Sequence, residues 1–467
     1  MSEERLPLRL KLVYGLGDHS VNVALVALTA ILPFYLTDVV GMRIGLAGLV
    51  PLVGRSVDAL TDVAMGRISD RTTWKAGRRR PYLLIGALPF ALSFFAIWAV
   101  PPIENDGLQF AYYAGIYVLL SISMTVVAVP YQALLPELTT SYHERSSLAT
   151  FRSISSIFGT LVTLLCFRPL VELFGGDTRA WALAGAVFAL WILWPWGPIW
   201  AVTYERRGRR AETIASTREY FRLIAGNRSF RRLIALFSLG RMAIDLPMAF
   251  FLIYFTYVIG RPGDFEPVMA VFLVAVVASM PLWLRFSRGR DKSTTYLYGC
   301  LGWIFGLGSL FVLQPEWPFW VTLAATAFAG MGYSAADMIP WSMVADVADE
   351  DEILSGERRE GVYVGFFTFV RKMSGAVGVA LAFFALDVAG FRPGTQNPES
   401  VLWVLRGVTA GVPILFVIAS MVAARGYPLD RHRHRAILDE LELRHRDEEH
   451  DEPHARGPFE APFAPEV

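Results

Sequence analysis

Residues 55–80 read RSVDALTDVAMGRISDRTTWKAGRRR, and the two ends of this stretch belong to different solvents. The first half continues an apolar run that begins near Leu46, long enough to lie inside a membrane. Yet it carries Arg55, Asp58 and Asp62. Residues three and four apart share one face of a helix, so all three lie on one stripe. Ionised side chains at bilayer depth cost several kcal/mol, on the order of 2.5–3.5 by insertion scales, and face a cavity or a partner. Two carboxylates and a guanidinium on one stripe therefore read as a cation or proton site. The alternative is a fixed ion-pair network that only locks helices together. The second half, through Arg78, Arg79 and Arg80, is too basic for lipid, and it assigns that end to the cytoplasm.

The rest of the composition agrees with a membrane setting. Of 467 residues 54% are hydrophobic and only 18% charged, less charge than a soluble enzyme of this length carries. A net charge of +1 gives no reason to expect a nucleic-acid partner. Cys166 and Cys300 both sit in apolar runs, which argues against a disulfide framework. The N-terminus MSEERLPLRLKL shows no cleavable signal pattern. No loop offers a nucleophile–base pair or metal-ligand spacing, so an enzyme is not expected.

A helix needs about 20 apolar residues to cross a bilayer. By that measure the chain holds twelve spans, at 12–39, 44–68, 81–100, 108–139, 145–173, 179–202, 233–260, 265–286, 294–313, 317–346, 361–389 and 401–425. The expected fold is thus an all-α membrane protein of two six-helix halves, 1–203 and 233–426. A cytoplasmic linker at 204–232 joins them, and a partly disordered cytoplasmic tail occupies 427–467. Loops after the second, sixth and eighth spans are rich in Lys and Arg. Those after the third, seventh, ninth and eleventh (PPIENDG, GRPGD, QPEWP, FRPGTQNPES) are nearly free of them. This alternation places both termini in the cytoplasm. In the tail, RHRHRAILDELELRHRDEEH reads as an amphipathic helix on the membrane surface, with His432, His434 and His445 solvated.

The halves share punctuation. The fourth span ends VPYQALLPELTTSYHERSS and the tenth ends IPWSMVADVADEDEILSGERREG. Each has Pro and an aromatic (Pro130-Tyr131, Pro340-Trp341), an acid six or seven residues on (Glu137, Asp346), then Glu-Arg (Glu144-Arg145, Glu357-Arg358). Such a repeat is the pattern of transporters whose sites lie at the midplane between halves. Gly66, Asp70 and Arg71 allow a tight exit from the second span. Together with Glu137, Glu144, Arg145, Asp346, Glu357 and Arg358 they are candidates for salt bridges that hold one side closed and break as the halves rock.

Further charges at depth are Asp18, Arg152, Arg241, Asp245, Asp337 and Lys372. Arg241 and Asp245 are spaced to pair with each other. Lys372 has no acid at pairing distance on its own helix, so Asp58 or Asp62 is the expected partner, unless it snorkels to the cytoplasm. An ammonium there would compete with a bound cation, a device for coupling. Asn22, Gln132 and Arg152 are polar groups suited to hydroxyls.

Taken together, KLVYGLGD, FYLTDVVG, RSVDALTD, GRRRPYLLIG, VPYQALLPELTTSYHER, WSMVADVADEDE, GERREG and FVRK resemble the glycoside–pentoside–hexuronide:cation symporter family of the major facilitator superfamily, over residues 11–435. The resemblance implies cation-coupled alternating access. It implies that Asp58 and Asp62 bind the coupling ion, Na+ or H+, with Thr125 as a neighbouring oxygen ligand. If the ion is Na+, the two aspartates are metal ligands; no other cofactor is implied. Lys372 matches the family's eleventh-helix lysine, and Arg152 its substrate-side arginine. Where the family's galactoside carriers have acids or aromatics, this chain has Asn22, Ala128, Gln132 and Asp337, so a galactoside is not implied. The expected cargo is a small organic solute, a sugar or glycoside, moved by a monomer across the cytoplasmic membrane. A lysolipid or other amphiphile is the alternative, and a non-transporting scaffold a remoter one.

Overall fold

The computed structural model describes residues 5–74, 76–139, 141–205, 226–356 and 360–451. Among them every regular element is helical. The N-terminal half comprises α1 (Leu8–Val39), α2 (Ile44–Arg71), α3 (Arg80–Ile97), α4 (Asp106–Leu138), α5 (Tyr142–Leu173) and α6 (Thr178–Val202). The C-terminal half comprises α7 (Arg228–Tyr257), α8 (Phe265–Ser287), α9 (Lys292–Val312), α10 (Phe319–Ser355), α11 (Glu360–Val388) and α12 (Glu399–Arg425). A last helix, α13 (Arg431–Asp451), follows. Eleven of these are long and apolar enough to cross a membrane. The remaining long one, α10, has 37 residues but misses that mark because polar side chains run along it.

Local chemistry sets the ends and bends. Asn105, Asp177 and Asn227 cap α4, α6 and α7 by accepting from Leu108, Ala180 and Phe230 backbone N–H groups. At Gly356, α10 stops in a left-handed conformation (φ 73°), the usual glycine terminus. Pro33 and Pro413 remove backbone donors inside α1 and α12, and each helix widens there to π turns, at Ala27–Ile31 and Gly407–Gly411. Large apolar side chains such as Leu60, Val274, Leu381 and Leu415 are exposed along the spans, as expected when the outer surface meets lipid.

Within each half, α1 packs on α5 and α4 on α2 and α3, while α9 and α8 pack on α10 and α7 on α12 and α11. The closest pair is α9 with α10, where a Cβ on Gly302 would stand 3.0 Å from the Cα of Gly332. Between halves the contacts are α2 with α11, α5 with α8 and α1 with α7. Advancing each index by six turns the first pairing into the second, so the two halves meet across a pseudo-twofold axis.

The tail departs from expectation. Part of its apolar surface is taken up by the protein: Ile437 and Leu441 of α13 are buried while Leu438 and Leu443 stay exposed, and Arg433 pairs with Glu350 of α10 at 3.0 Å. His434 is not simply solvated, since its Nε2 lies 3.1 Å from Asp349 and 3.4 Å from Asp346. His432 is exposed, whereas the side chain of His445, linker residues 206–225 and the tail from 452 lie outside the described residues, as do Glu357 and Arg358.

Candidate cation and substrate site

At mid-height α2 delivers Asp58 and Asp62 to one side of a central cavity of about 760 Å³. Their four-residue spacing stacks the two carboxylates, and α4 presents Thr125 to both. The Thr125 hydroxyl lies 2.9 Å from Asp58 Oδ1 and 3.0 Å from Asp62 Oδ1, so it can donate to one of them at a time. From the other half, α11 extends Lys372 into the same cluster, its Nζ 2.6 Å from Asp58 and 2.5 Å from Asp62. The oxygens suit a hard monovalent cation or a proton, and the cluster holds two negative charges against one positive.

Arg55 does not join that cluster. Its guanidinium donates to Thr29 at 2.8 Å, in the widened turn of α1, and reaches toward Asp245 of α7 at 3.8 Å. Asp245 instead pairs closely with Arg241 at 2.5 Å, and Arg241 also holds Asp337 at 3.1 Å. A second charged group thus lines the C-terminal wall.

Of the residues matched to hydroxyl recognition, Asn22 and Gln132 line the cavity, with the Asn22 amide donating to the Asp18 carbonyl at 2.8 Å. Arg152 does not line it. Its guanidinium is engaged by both oxygens of Asp18, one at 3.1 Å, and stacks over Tyr131. The physical reason is a half-buried acid on the adjoining helix α1, whose charge needs a partner there.

The candidate gating residues brace each half internally. Asp70 holds Arg79 at 2.6 Å, and Glu137 takes both Arg78 and Arg79, tying α2, its basic loop and α4 together. The hydrogen bond to Glu137, opposed by burial, lifts the Arg78 guanidinium above its ordinary pKa. Glu144 pairs with Lys11 of α1 at 2.9 Å, Asp346 with Lys292 of α9 at 2.7 Å, and Arg145 donates to the Thr139 carbonyl at the end of α4. Arg71 is exposed. None of these pairs crosses between halves, because each acid sits near a helix end and finds its cation on a neighbouring helix or loop of the same bundle.

Apart from Lys372 and Arg55 in the cavity, the pairs described as crossing lie at the opposite face. Arg43, between α1 and α2, makes a two-pronged contact with Asp387 of α11 at 3.0 and 2.8 Å. Tyr257 of α7 donates to Asp38 of α1, and Arg168 of α5 reaches Glu266 of α8 at 3.0 Å. Sequence reading quoted Asp38 within FYLTDVVG without a role, and single charges in short loops gave no signal for the others. Arg371, beside Lys372 in FVRK, was also passed over; it lines the cavity with its guanidinium 5.9 Å from the Trp341 ring.

Comparison with known proteins accounts for this arrangement. The family model described as MFS/sugar transport protein matches residues 13–431. The inner membrane symporter YicJ of Escherichia coli is 27% identical, over 94% of this chain and 96% of its own. The sodium-dependent lysophosphatidylcholine symporter 1 of Homo sapiens is 26% identical, over 91% and 86%. Among solved structures a D-xylose–proton symporter superposes with a TM-score of 0.66 at 16% identity, over 88% of this chain and 96% of its own, a likeness of fold alone. With a family match that runs almost end to end, the chain is a member of the MFS/sugar transport protein family of the major facilitator superfamily.

Proposed function

We propose that the protein is a cation-coupled secondary active symporter of the cytoplasmic membrane, moving a small organic solute by alternating access. The single observation that carries this reading is the Asp58–Asp62–Thr125 cluster with a tethered ammonium, Lys372, reaching it from the opposite half. A Na+ ion or proton arriving there displaces the lysine. It thereby changes what links the halves, and differential binding to two states is what coupling requires. The basic loops put both termini in the cytoplasm. Cross-half pairs at the far face then support an inward-open form. In this reading 1–203 and 233–426 are the moving bodies, 204–232 is the linker and 427–467 the tail.

A sugar or glycoside is the first candidate cargo, supported by the family description and by Asn22 and Gln132 on the wall. One observation favours an amphiphile as the second. Beyond the charges the cavity runs between apolar side chains of α7 to α9, among them Phe251, Phe255, Phe272, Trp303 and Leu307. Two of the relatives' names, the sugar transport family and the lysophosphatidylcholine symporters, span the same choice.

The test is uptake into proteoliposomes under an imposed Na+ or H+ gradient, with a panel of labelled glycosides and lysolipids. Asp62→Asn should abolish concentrative uptake while the protein still inserts and elutes as a single species. Unchanged accumulation in that variant rejects the assignment.

A further inference from the structure

The charges lining the cavity do not balance locally. On the α2 side, Asp58 and Asp62 face Lys372, leaving one negative charge in surplus. On the α7 and α10 side, Arg55, Arg241 and Arg371 face Asp245 and Asp337, leaving one positive charge in surplus. That surplus has a location. Arg55 and Arg241 have carboxylates at hand, whereas among the described residues no carboxylate pairs with Arg371 and no acceptor takes its N–H groups. Its guanidinium instead faces the cavity beside the indole of Trp341. Asp337 and Asp245 act on it only from beyond ion-pair distance and are already held by Arg241, and a cation at membrane depth with no acid in direct contact calls for an anion from outside.

We infer that Arg371, with Arg241 beside Asp337, forms an anion-binding subsite, and that the transported solute carries one negative charge on an otherwise largely apolar or glycosidic body. This rests on the symport reading above and deepens it. Successive residues on a helix point about 100° apart, so one turn of α11 sends Lys372 to the ion cluster and Arg371 to the substrate wall. When the coupling cation neutralises the α2 side, the cavity as a whole acquires one positive charge. A monoanionic solute at Arg371 returns it to neutrality, and the loaded carrier can then close without trapping a bare charge. Displaced from Asp58 and Asp62, the Lys372 ammonium is free to turn toward the same anion. The aromatic and aliphatic side chains beyond the charges, Phe251, Phe255, Phe272, Trp303 and Leu307, receive the uncharged remainder.

The subsite can be tested on the full chain in lipid nanodiscs by thermal unfolding against matched pairs of probes. One pair is p-nitrophenyl β-glucuronide and p-nitrophenyl β-glucoside; the other is benzenesulfonate and benzyl alcohol. Each is titrated with and without Na+, and at neutral and acid pH. The anion of each pair should raise the unfolding midpoint saturably and its neutral twin should not. Arg371→Gln should weaken the anion by about tenfold or more, the loss expected for a hydrogen bond to a charged group, and Arg371→Lys should keep a measurable part of the response. Three outcomes overturn the inference: no response to either anion, equal responses to the neutral twins, or anion binding unchanged in Arg371→Gln. A cation response that vanishes in Asp62→Asn reports separately on symport. If it persists without anion preference, the subsite falls and symport stands. Arg371-dependent anion binding with no cation response at all leaves the subsite standing and removes symport.

Discussion

Lys372 is both the structural partner of Asp58 and Asp62 and the competitor of any ion that would replace it. Its two contacts, 2.6 and 2.5 Å, mean that every cation entering must first break them. Removing the ammonium should therefore strengthen cation binding while destroying the link between ion and cargo. We predict that Lys372→Ala binds Na+ or protons at least about tenfold more tightly, since an opposite charge within a few ångströms shifts such equilibria by one to three pK units. Uptake should be lost at the same time. Isothermal titration with Na+, and proton release on acidification, check the first part; a weaker cation response in the variant would show the lysine to be a helper and not a rival. At this scale the sequence was legible where spacing governs. Asp58 and Asp62, four apart, had to stack, and Arg241 and Asp245 had to be within reach of each other. Illegible were the residues whose role depends on which distant helix stands opposite. Nothing in the sequence distinguishes Arg152, which Asp18 engages, from Arg371, which among the described residues no acid pairs with directly.

Helices were legible by a simpler rule. Length and apolarity mark a span whatever it packs against, so all twelve were placed, α10 among them despite its polar side chains, and Pro340 there matches Pro130 in α4. The tail helix was read as amphipathic without the neighbour it packs on. An apolar stripe says that something covers it but not what, and part of the stripe of α13 is covered by α10. Ile437 and Leu441 fill that contact, flanked by the Arg433–Glu350 pair. Trimming the contact should loosen the helix without disturbing the spans. Ile437→Ala should cost the docking of α13 about 2 kcal/mol, the low end for a buried aliphatic truncation. The signature would be faster amide hydrogen exchange confined to residues 431–444. Exchange that accelerates along α10 as well would mean that the tail supports the span itself.

The whole molecule is two bundles that touch through α2 with α11, α5 with α8 and α1 with α7. Because the first two pairings exchange under the pseudo-twofold, rocking can open one face while closing the other with little change inside either half. What biases the rocking is where the cross-half bonds lie. The pairs expected to do this, Asp70, Glu137, Glu144 and Asp346 with their partners, stay within a bundle and move with it. The face away from the basic loops is tied by Arg43–Asp387, Arg168–Glu266 and Asp38–Tyr257. The last belongs to a small hydrogen-bond network. The Tyr257 hydroxyl donates to Asp38 and accepts the Gly394 N–H at 2.5 Å, while Thr37 donates to the other carboxylate oxygen at 2.6 Å. Tyr257→Phe keeps the ring but removes the hydroxyl that joins Asp38 to the Gly394 N–H, leaving Asp38 with Thr37 and one donor fewer in the closed face. A hydrogen bond to a charged group contributes about 1.5–3 kcal/mol, so the balance should move roughly tenfold toward the form open at that face. Spin labels at positions 104 and 316, in the loops before α4 and before α10, would read this as a longer distance population by double electron–electron resonance. If the distribution is unchanged, the Asp38–Tyr257 bond does not hold the face shut, and Arg43–Asp387 and Arg168–Glu266 must carry the bias alone.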